Sequence, residues 1–299
     1  MSSSPRLQSR VLVVWVMAGL VTVARADEAI PPNGWASTFV GTKAGQIRED
    51  NGLRMKLVWC PPGEFTMGSP QDEKGRPDQR NNMGNFENQV RVTLSKGFWL
   101  GRCEVTQSEW RRLMVTTPWR APDAPEGFEY AASNISRDDA LQFCEKLTNQ
   151  ERRLGRLPST WRYTLPTEAQ WEYACRATTT TRFNFGEDDS KLSDSAWFAD
   201  NAGEAGERYP HPVGVLKPNR WGLYDMHGNV WEWTRDWYTN KVPGGLDPEV
   251  SVKAKWAVMR GGSWTNGSRL CRSAFRNMHP TTLGGGVVGF RVAAVASGK

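Results

Sequence analysis

The chain has 299 residues, of which 38% are hydrophobic and 23% charged, a composition typical of a soluble globular protein. Its formal net charge is +6, and three of the positive charges, Arg6, Arg10 and Arg25, lie in the first 26 residues. Removing them leaves +3, dispersed along the rest of the chain. This charge is too weak and too scattered to indicate nucleic acid binding.

The first 26 residues have the pattern of an export signal. Arginines precede an apolar run from Val11 to Ala24, and Ala24-Arg25-Ala26 forms an A-x-A cleavage site before Asp27. Fourteen residues are short for a spanning helix, so we favour a cleaved signal peptide over an uncleaved membrane anchor. The pattern predicts an exported protein, periplasmic or extracellular, with no membrane span after signal cleavage.

The region after the signal divides into a linker and a series of short strands. Residues 27–51 contain the turn PPNG and few apolar anchors, which predicts a linker. Apolar or alternating runs predict strands further on, with a polar surface loop from Ser69 to Asn88 between the second and the third. The predicted strands are MKLVWC (55–60), EFTMGS (64–69), VRVTL (90–94) and FWLGRCEV (98–105).

Three segments carry the start signals of helices. One helix is predicted from Thr106 over TQSEWRRLM, and a second, SRDDALQFCEKL (136–147), is capped by Ser136 and has one apolar face. Thr167 and Gln170 form a capping box at the start of the third. Beyond residue 180 there is little periodicity, which predicts more than a hundred residues of irregular backbone, supported by packed tryptophans or a bound metal.

The usual soft metal ligands are few and scattered. The cysteines show neither a C-x-x-C nor a zinc spacing, and their odd number leaves at least one thiol unpaired. No histidine is paired at metal-ligand spacing, which argues against a histidine-rich iron or zinc centre. Most of the 15 tryptophans are interpreted as core residues. The residues concerned are Cys60, Cys103, Cys144, Cys175, Cys271, His211, His227 and His279.

Seven motifs follow one another along the chain: PPGEFTMGS (61–69), EVTQSEW (104–110), LPTEAQWEYACRA (165–177), NRWGLYDMHGNVWEWTRDWY (219–238), RGGSW (260–264), RSAFR (272–276) and GFRVA (289–293). Together they resemble the formylglycine-generating enzyme family, also called the sulfatase-modifying factor family. The resemblance covers residues 52–297 and implies one α+β domain with an elaborated C-type-lectin-like fold and low regular secondary structure. The family's best-known members are exported oxidases that use copper and oxygen to convert a sulfatase cysteine into formylglycine.

The oxidases of this family hold copper with two cysteines, five residues apart, after a GGS motif. Counting forward from Gly261-Gly262-Ser263 puts the first position at Asn266 and the second at Cys271, whereas counting back from Arg272 puts the second at Ser268. The first cysteine is absent by either count. Copper binding is therefore not expected, Cys271 is the one catalytic candidate, and we expect it to be a buried, inert thiol.

The family's disulfides are incomplete here as well. The resemblance implies bridges from the positions of Cys144 and Cys175 to positions that hold Val292 and Ser273 in this chain. Those bridges cannot form, because one partner of each lacks sulfur. Cys144 and Cys175 are then either buried thiols or partners of each other.

A family calcium site keeps its residues better than the copper site does. Carboxylates and main-chain carbonyls supply the hard oxygens that calcium prefers. The alternative is an ordinary turn with two solvated acids. A second family calcium site would include Asn201 and Ala202, although its other ligands find no match. The resemblance assigns the first site to Asp225, Gly228, Val230 and Glu232.

The same segments carry the residues of a possible ligand pocket. Aromatic side chains would form its floor and polar ones would orient a peptide, protein or small-molecule ligand, while the alternative for each residue is a structural role. The pocket residues are Trp231, Ser263, Trp264, Asn266 and Arg272. We therefore expect an exported, calcium-stabilised binding or accessory module. The alternative is a formylglycine-generating or other oxidoreductase acting on a protein or peptide substrate.

Overall fold

The computed structural model describes residues 39–77, 86–119, 125–282 and 284–297. The predicted signal peptide and the predicted linker up to residue 38 lie outside these ranges. The rest of the linker belongs to the folded unit, since Phe39 is fully buried and Ile47 pairs with Val58 in a sheet. The domain therefore starts before residue 52. No helix within the described ranges is long and apolar enough to cross a membrane.

The described residues form twelve short strands. They are β1 (Ile47–Arg48), β2 (Leu57–Cys60), β3 (Gly63–Met67), β4 (Val90–Leu94), β5 (Phe98–Gly101), β6 (Trp161–Thr164), β7 (Trp231–Trp237), β8 (Gly245–Leu246), β9 (Ala257–Arg260), β10 (Asn277–His279), β11 (Val288–Gly289) and β12 (Ala293–Ala296). The first sheet has the order β1-β2-β5-β12-β6, the second β10-β9-β7-β11 and the third β3-β4-β8. The four strands predicted before residue 106 are confirmed, the one at 90–94 with the predicted bounds and the other three shorter than predicted.

Three α-helices within the described ranges accompany the sheets, each starting where the sequence predicts. They are α1 (Gln107–Met114), α2 (Arg137–Arg153) and α3 (Glu168–Arg176), and short 3₁₀ helices occupy Asp189–Asp194, Ala199–Asn201 and Ser268–Leu270. Thr106 and Thr167 accept hydrogen bonds in full capping boxes, and Ser136 caps α2. The helix predictions are confirmed because caps are local signals that tertiary packing rarely overrides.

The prediction of irregular backbone beyond residue 180 is correct for one part of the region and wrong for the other. Between α3 and β7 the described chain has two 3₁₀ helices and otherwise turns and loops. From β7 onward it forms six of the twelve strands. Strand β7 reads WEWTRDW and is buried along most of its length, so it lacks the alternation of a half-buried strand.

Large aromatic side chains fill the core. Trp99, Trp171 and Trp233 are among the largest fully buried side chains. The rings of Trp59 and Trp99 lie 5.1 Å apart, and the Trp233 indole donates to the Ile135 carbonyl at 2.9 Å. The interpretation of these tryptophans as core residues is confirmed.

One chain crossing between sheets positions a group of buried charges. Strand β11 lies parallel to β7, with Gly289 opposite Glu232. Strand β12 then joins the first sheet between β5 and β6, so the residues between β11 and β12 connect two sheets. Arg291 lies on this connection, fully buried, and its side chain reaches Glu232.

Candidate functional site

Two glycines shape the loop that the resemblance aligns with the copper-binding segment. Gly261 and Gly262 have φ angles of 100° and 81°, which other residues rarely adopt. A Cβ on Gly262 would lie 2.6 Å from the Cys271 sulfur. Within the loop, the Ser263 hydroxyl donates to the side-chain oxygen of Asn266 at 2.6 Å. Close backbone approach and internal hydrogen bonds therefore close this loop on itself.

Cys271 is a fully buried, free thiol. It packs with Phe183, Leu192, Ala196 and Phe198 in a small apolar cluster. Burial raises the pKa of the Cys271 thiol to about 12. At neutral pH it is therefore protonated, whereas copper binding and nucleophilic attack require the thiolate. The expectation that Cys271 is buried is confirmed, and its inertness stays a prediction.

The other four cysteines are free as well. The Cys175 sulfur lies 3.7 Å from the Ser273 hydroxyl, and Cys144 shares a hydrophobic cluster with Val292. The two pairs of positions that the resemblance joins by disulfides are thus close together in this structure, but only one residue of each pair is a cysteine. Of the two alternatives left by the sequence, the structure shows separate buried thiols at Cys144 and Cys175.

The described residues do not fit a copper ion at Cys271. Among them, no group of three or more His, Cys, Asp or Glu side chains is placed to hold a metal ion. His227 contacts the Cys271 carbonyl through Nδ1 at 2.7 Å and accepts from the Asn184 amide through Nε2 at 3.1 Å. Both imidazole nitrogens are therefore engaged, and the Cys271 sulfur lacks the soft partner that Cu(I) requires.

His227 is held neutral, and the acid stability of the protein is expected to depend on it. Burial lowers the pKa of His227 from 6.5 to about 4. Below pH 6.5 the unfolded chain takes up a proton that the folded chain does not, so the folded state loses up to about 3 kcal/mol as the pH falls to 4. Chemical denaturation should show the stabilities of wild type and His227→Gln converging as the pH falls over this range. A constant difference between them would contradict this account.

The predicted pocket residues are packed into the protein. Trp231 lies in the main core, with its ring centroid 5.9 Å from that of Phe275. Arg272 makes two hydrogen bonds of 2.8 Å to Glu87 and one of 2.5 Å to Glu73. None of the five predicted residues lines the cavities of about 380, 630 and 580 Å³ in the described region. The remaining three form or flank the closed loop: Ser263, Trp264 and Asn266.

The pocket assignment stays a prediction: four of the five residues are buried and Asn266 is half-buried, and the structure shows structural contacts for them. For Arg272 that role is specific. It ties two ends of the polar 69–88 loop, at Glu73 and Glu87, to the segment that carries Cys271. The segment 69–88 can therefore be a surface loop, as predicted, and still be anchored to the rest of the protein at Glu73 and Glu87.

A second group of buried ion pairs fixes helix α3 beneath the same segment. Arg260 contacts Glu172 and lies 3.5 Å from Glu168, and Arg276 binds Glu168 with hydrogen bonds of 2.5 and 2.8 Å. Arg176 binds Glu172 at 2.9 Å. Burial alone would raise the pKa of Glu168, but Arg276 and Arg260 hold it below its usual value. Each of the two glutamates is shared by two arginines, so replacing one arginine would leave a buried carboxylate with only one of its two counter-charges.

Glu232, a predicted calcium ligand, is bound by an internal cation. Its Oε1 accepts from Arg291 at 2.7 Å, and its Oε2 accepts from Arg291 at 2.6 Å and from the Trp171 indole at 2.8 Å. The Arg291 guanidinium also donates to the carbonyls of Gly101 at 2.9 Å and Tyr224 at 3.0 Å. Both oxygens of Glu232 are therefore committed to hydrogen bonds, and Arg291 neutralises its charge.

Asp225 has a free oxygen where Glu232 has none. Its backbone is left-handed, with a φ of 59°, and its Oδ2 accepts from the Gly214 amide at 2.7 Å. Its Oδ1 is buried and has no hydrogen-bond partner in the described residues. At Gly228 a Cβ would lie 2.1 Å from the Trp197 carbonyl oxygen, so this position requires glycine for a close backbone contact.

The residues of the second predicted calcium site take part in local structure. The Asn201 side chain accepts from the Phe198 amide at 2.9 Å and donates to the Ala196 carbonyl at 2.9 Å. Ala202 is fully buried, as is Val230 of the first site. The first site fits a calcium ion in part, through Asp225, and calcium at either set of residues stays a prediction.

Sequence reasoning missed Glu104. This residue is 2% exposed, and neither of its carboxylate oxygens has a hydrogen-bond partner in the described part of the chain. Glu104 and Asp225 lie within hydrogen-bonding reach of each other, and burial raises the pKa of both, that of Asp225 to about 6. The cavity of about 380 Å³ reaches Glu104 and Gly214. The available signal was an acid just after an apolar strand, in the motif EVTQSEW.

Comparison with known proteins decides the family. The sulfatase-modifying factor enzyme 1-like domain matches residues 43–296. The chain belongs to this family. Among solved structures, PvdO from Pseudomonas aeruginosa has a TM-score of 0.72 at 27% identity, over 85% of this chain and 99% of that chain. The predicted α+β, C-type-lectin-like fold with low regular secondary structure is confirmed.

Relatives in the family bear names of different kinds. The formylglycine-generating enzyme of Mus musculus is 30% identical over 209 residues, which are 64% of this chain and 52% of that enzyme. The inactive C-alpha-formylglycine-generating enzyme 2 of Mus musculus is 30% identical over 173 residues, 54% of this chain and 50% of the relative. The chain thus spans about half the length of both mouse proteins.

A third relative is named a chaperone. The chaperone protein LppX of Paenibacillus barcinonensis is 29% identical over 217 residues, which are 58% of this chain and 71% of the relative. Proteins named as a formylglycine-generating enzyme, as an inactive enzyme and as a chaperone therefore all resemble this chain. Membership of the family fixes the fold and leaves the activity to be argued from the site.

Proposed function

We propose that this protein is an exported binding or accessory member of the sulfatase-modifying factor family that does not oxidise cysteine. The proposal rests on one observation: Cys271, the sulfur of the segment aligned with the copper-binding loop, is buried and protonated and has no second thiol beside it. Copper oxidases of this type need two thiolates on the metal. The chain keeps the scaffold, because the buried ion pairs of Arg260, Arg272 and Arg276 do not depend on that chemistry.

The ligand of such a module would be a protein or a peptide. Support comes from the chaperone name of one relative and from the inactive name of another. Four of the five predicted pocket residues are buried and Asn266 is half-buried, so the ligand would contact other parts of the chain or require movement of the closed loop.

The proposed loss of oxidation can be tested by mass spectrometry. The protein is incubated with Cu(I), oxygen and a peptide containing Cys-x-Pro-x-Arg, and the peptide is then weighed. We expect an unchanged peptide mass, for wild type and for Cys271→Ser alike. Loss of the cysteine sulfur in the wild type, abolished in Cys271→Ser, would identify a single-cysteine oxidase and contradict the proposal.

Export is proposed on the pattern of residues 1–26 alone. Signal peptidase cleaves after small residues at the −3 and −1 positions, which Ala24 and Ala26 provide. N-terminal sequencing of the protein recovered from its producing cell should begin at Asp27. Recovery of a chain that starts at Met1 in the membrane fraction would contradict the prediction.

A further inference from the structure

A cavity of about 380 Å³ lies beside the ends of strands β2 and β5. It is also bordered by the first turns of helix α1 and by residues 128–129 and 213–214, and no residue of the segment 260–276 lines it. The cavity is therefore distinct from the closed loop before Cys271. Four basic residues line it: Arg54, Lys56, Arg102 and Arg112.

Two of these cations lie opposite each other on paired strands. The Arg102 amide donates to the Lys56 carbonyl at 2.8 Å, which continues the antiparallel pairing of Leu57 with Gly101 by one residue. Side chains directly opposite in such a pair share a face, and like charges there repel each other. An anion bound between Lys56 and Arg102 would relieve this repulsion.

The basic side chains have few acceptors within the protein. Arg54 and Lys56 are exposed, and their side chains form neither an ion pair nor a hydrogen bond with any described residue. Arg102 donates to the Tyr224 hydroxyl at 2.8 Å, and its guanidinium lies 4.5 Å from the centre of that ring. Its Nε is buried with no acceptor in the described residues. Because a phenol is neutral at pH 7, Tyr224 positions Arg102 without balancing its charge.

Three acidic residues line the same cavity but supply little negative charge at neutral pH. Burial raises the pKa of Glu104 well above its usual value and that of Glu109 to about 7. Glu104 is therefore protonated at pH 7 and Glu109 partly so, with its Oε2 accepting from the Thr106 amide at 2.8 Å. The third acid, Glu129, is exposed. Positive charge thus exceeds negative charge around the cavity.

One side of the cavity is apolar and exposed. Phe128, which lines it, is 79% exposed, and Val215, two residues beyond the lining residue Val213, is 60% exposed. The two segments are adjacent, because the Val213 amide donates to the Glu129 carbonyl at 2.8 Å. Exposed apolar side chains grouped beside a polar cavity indicate a binding surface. A ligand that matches both parts carries a negative charge next to an apolar group.

We propose that this cavity binds the C-terminal carboxylate of a peptide whose last side chain is apolar. In such a peptide the carboxylate and the side chain share one carbon atom, so Lys56 and Arg102 can bind the charge while Phe128 contacts the side chain. An aspartate or glutamate side chain has no apolar group next to its charge, and inorganic phosphate has none at all. The choice of a peptide rests on the binding role proposed above.

Isothermal titration calorimetry at low ionic strength tests the proposal with defined probes. The first probe is acetyl-Gly-Ala-Leu with a free carboxylate, and its matched control is the same peptide with a C-terminal amide. We expect one free-acid peptide bound per chain and an affinity at least about tenfold lower for the amide. Inorganic phosphate and acetyl-Gly-Ala-Ser should bind more weakly than the leucine peptide, because neither contacts Phe128 through an apolar group.

Three variants locate the site. Lys56→Gln should weaken binding of the free acid by about tenfold, whereas Lys253→Gln, at an exposed lysine outside the cavity, should leave it unchanged. Phe128→Ala should remove the preference for leucine over serine. The proposal is overturned if the free acid and the amide bind equally, if phosphate binds as tightly as the leucine peptide, or if the two lysine variants lose affinity equally. It is also overturned if no probe binds, a result that would leave the tests of copper chemistry and peptide oxidation unaffected.

Discussion

Replacing Arg291 by methionine is expected to destabilise the folded protein by about 3–5 kcal/mol, the range for removing one partner of a buried ion pair. The substitution leaves Glu232 fully buried without its counter-charge. It also removes the donor to the carbonyls of Gly101, the last residue of β5, and of Tyr224, in the loop before β7, so the crossing segment loses hydrogen bonds to both. Urea denaturation followed by tryptophan fluorescence would measure the change in the free energy of unfolding.

Two further variants show whether the loss comes from the unpaired charge. Arg220 is exposed, and Arg220→Met should alter stability by no more than about 0.5 kcal/mol. The double variant Arg291→Met with Glu232→Leu should recover part of the stability lost in Arg291→Met, because no unpaired partner of the ion pair remains. A loss below about 1 kcal/mol in Arg291→Met would show that this ion pair does not support the fold.

The second large effect is expected at Arg272. Arg272→Met would leave Glu87 and Glu73, both almost fully buried, without their shared cation, again with a loss of about 3–5 kcal/mol. The described end of the polar loop at residues 69–77 would also lose its anchor. Trypsin should then cleave after Lys74 faster than in the wild type, under conditions in which both proteins remain folded.

The matched control is Arg269→Met, in the same segment. Arg269 is exposed and donates to neither glutamate in the structure, so its replacement should leave both stability and the rate of cleavage close to those of the wild type. Equal cleavage rates in Arg272→Met and Arg269→Met, together with equal stabilities, would contradict the anchoring role of Arg272.

The helices could be predicted from the sequence because their signals are local. Thr106, Ser136 and Thr167 cap helices with hydrogen bonds to residues three positions away, and such contacts are readable from spacing alone. Strand β7 was missed, since both of its faces are buried and period-2 alternation disappears. In the regions where hydrophobic periodicity did not predict the structure, the resemblance to the family did, because its motifs are distributed from residue 61 to residue 293.

The charge arrangement of the site could not be predicted. Arg291 and Glu232 are 59 positions apart, and Glu87 and Arg272 are 185 apart, so no spacing rule links them. The sequence shows that Glu232 is an acid in a family motif, but not that an arginine from a sheet crossing occupies both of its oxygens. Glu104 is the converse case: nothing in the sequence indicates that its carboxylate is buried without a hydrogen-bond donor among the described residues, which is visible only once the chain is folded.

The central claim is that this family member has no copper-thiolate chemistry, and a Cu(I) competition titration tests it most directly. The reduced protein is titrated against a chromophoric Cu(I) chelator under anaerobic conditions, beside Cys271→Ser. The account predicts that neither protein removes Cu(I) from the chelator, since Cys271 is buried, protonated and without a second sulfur. Transfer of one Cu(I) per chain to the wild type, lost in Cys271→Ser, would contradict the account.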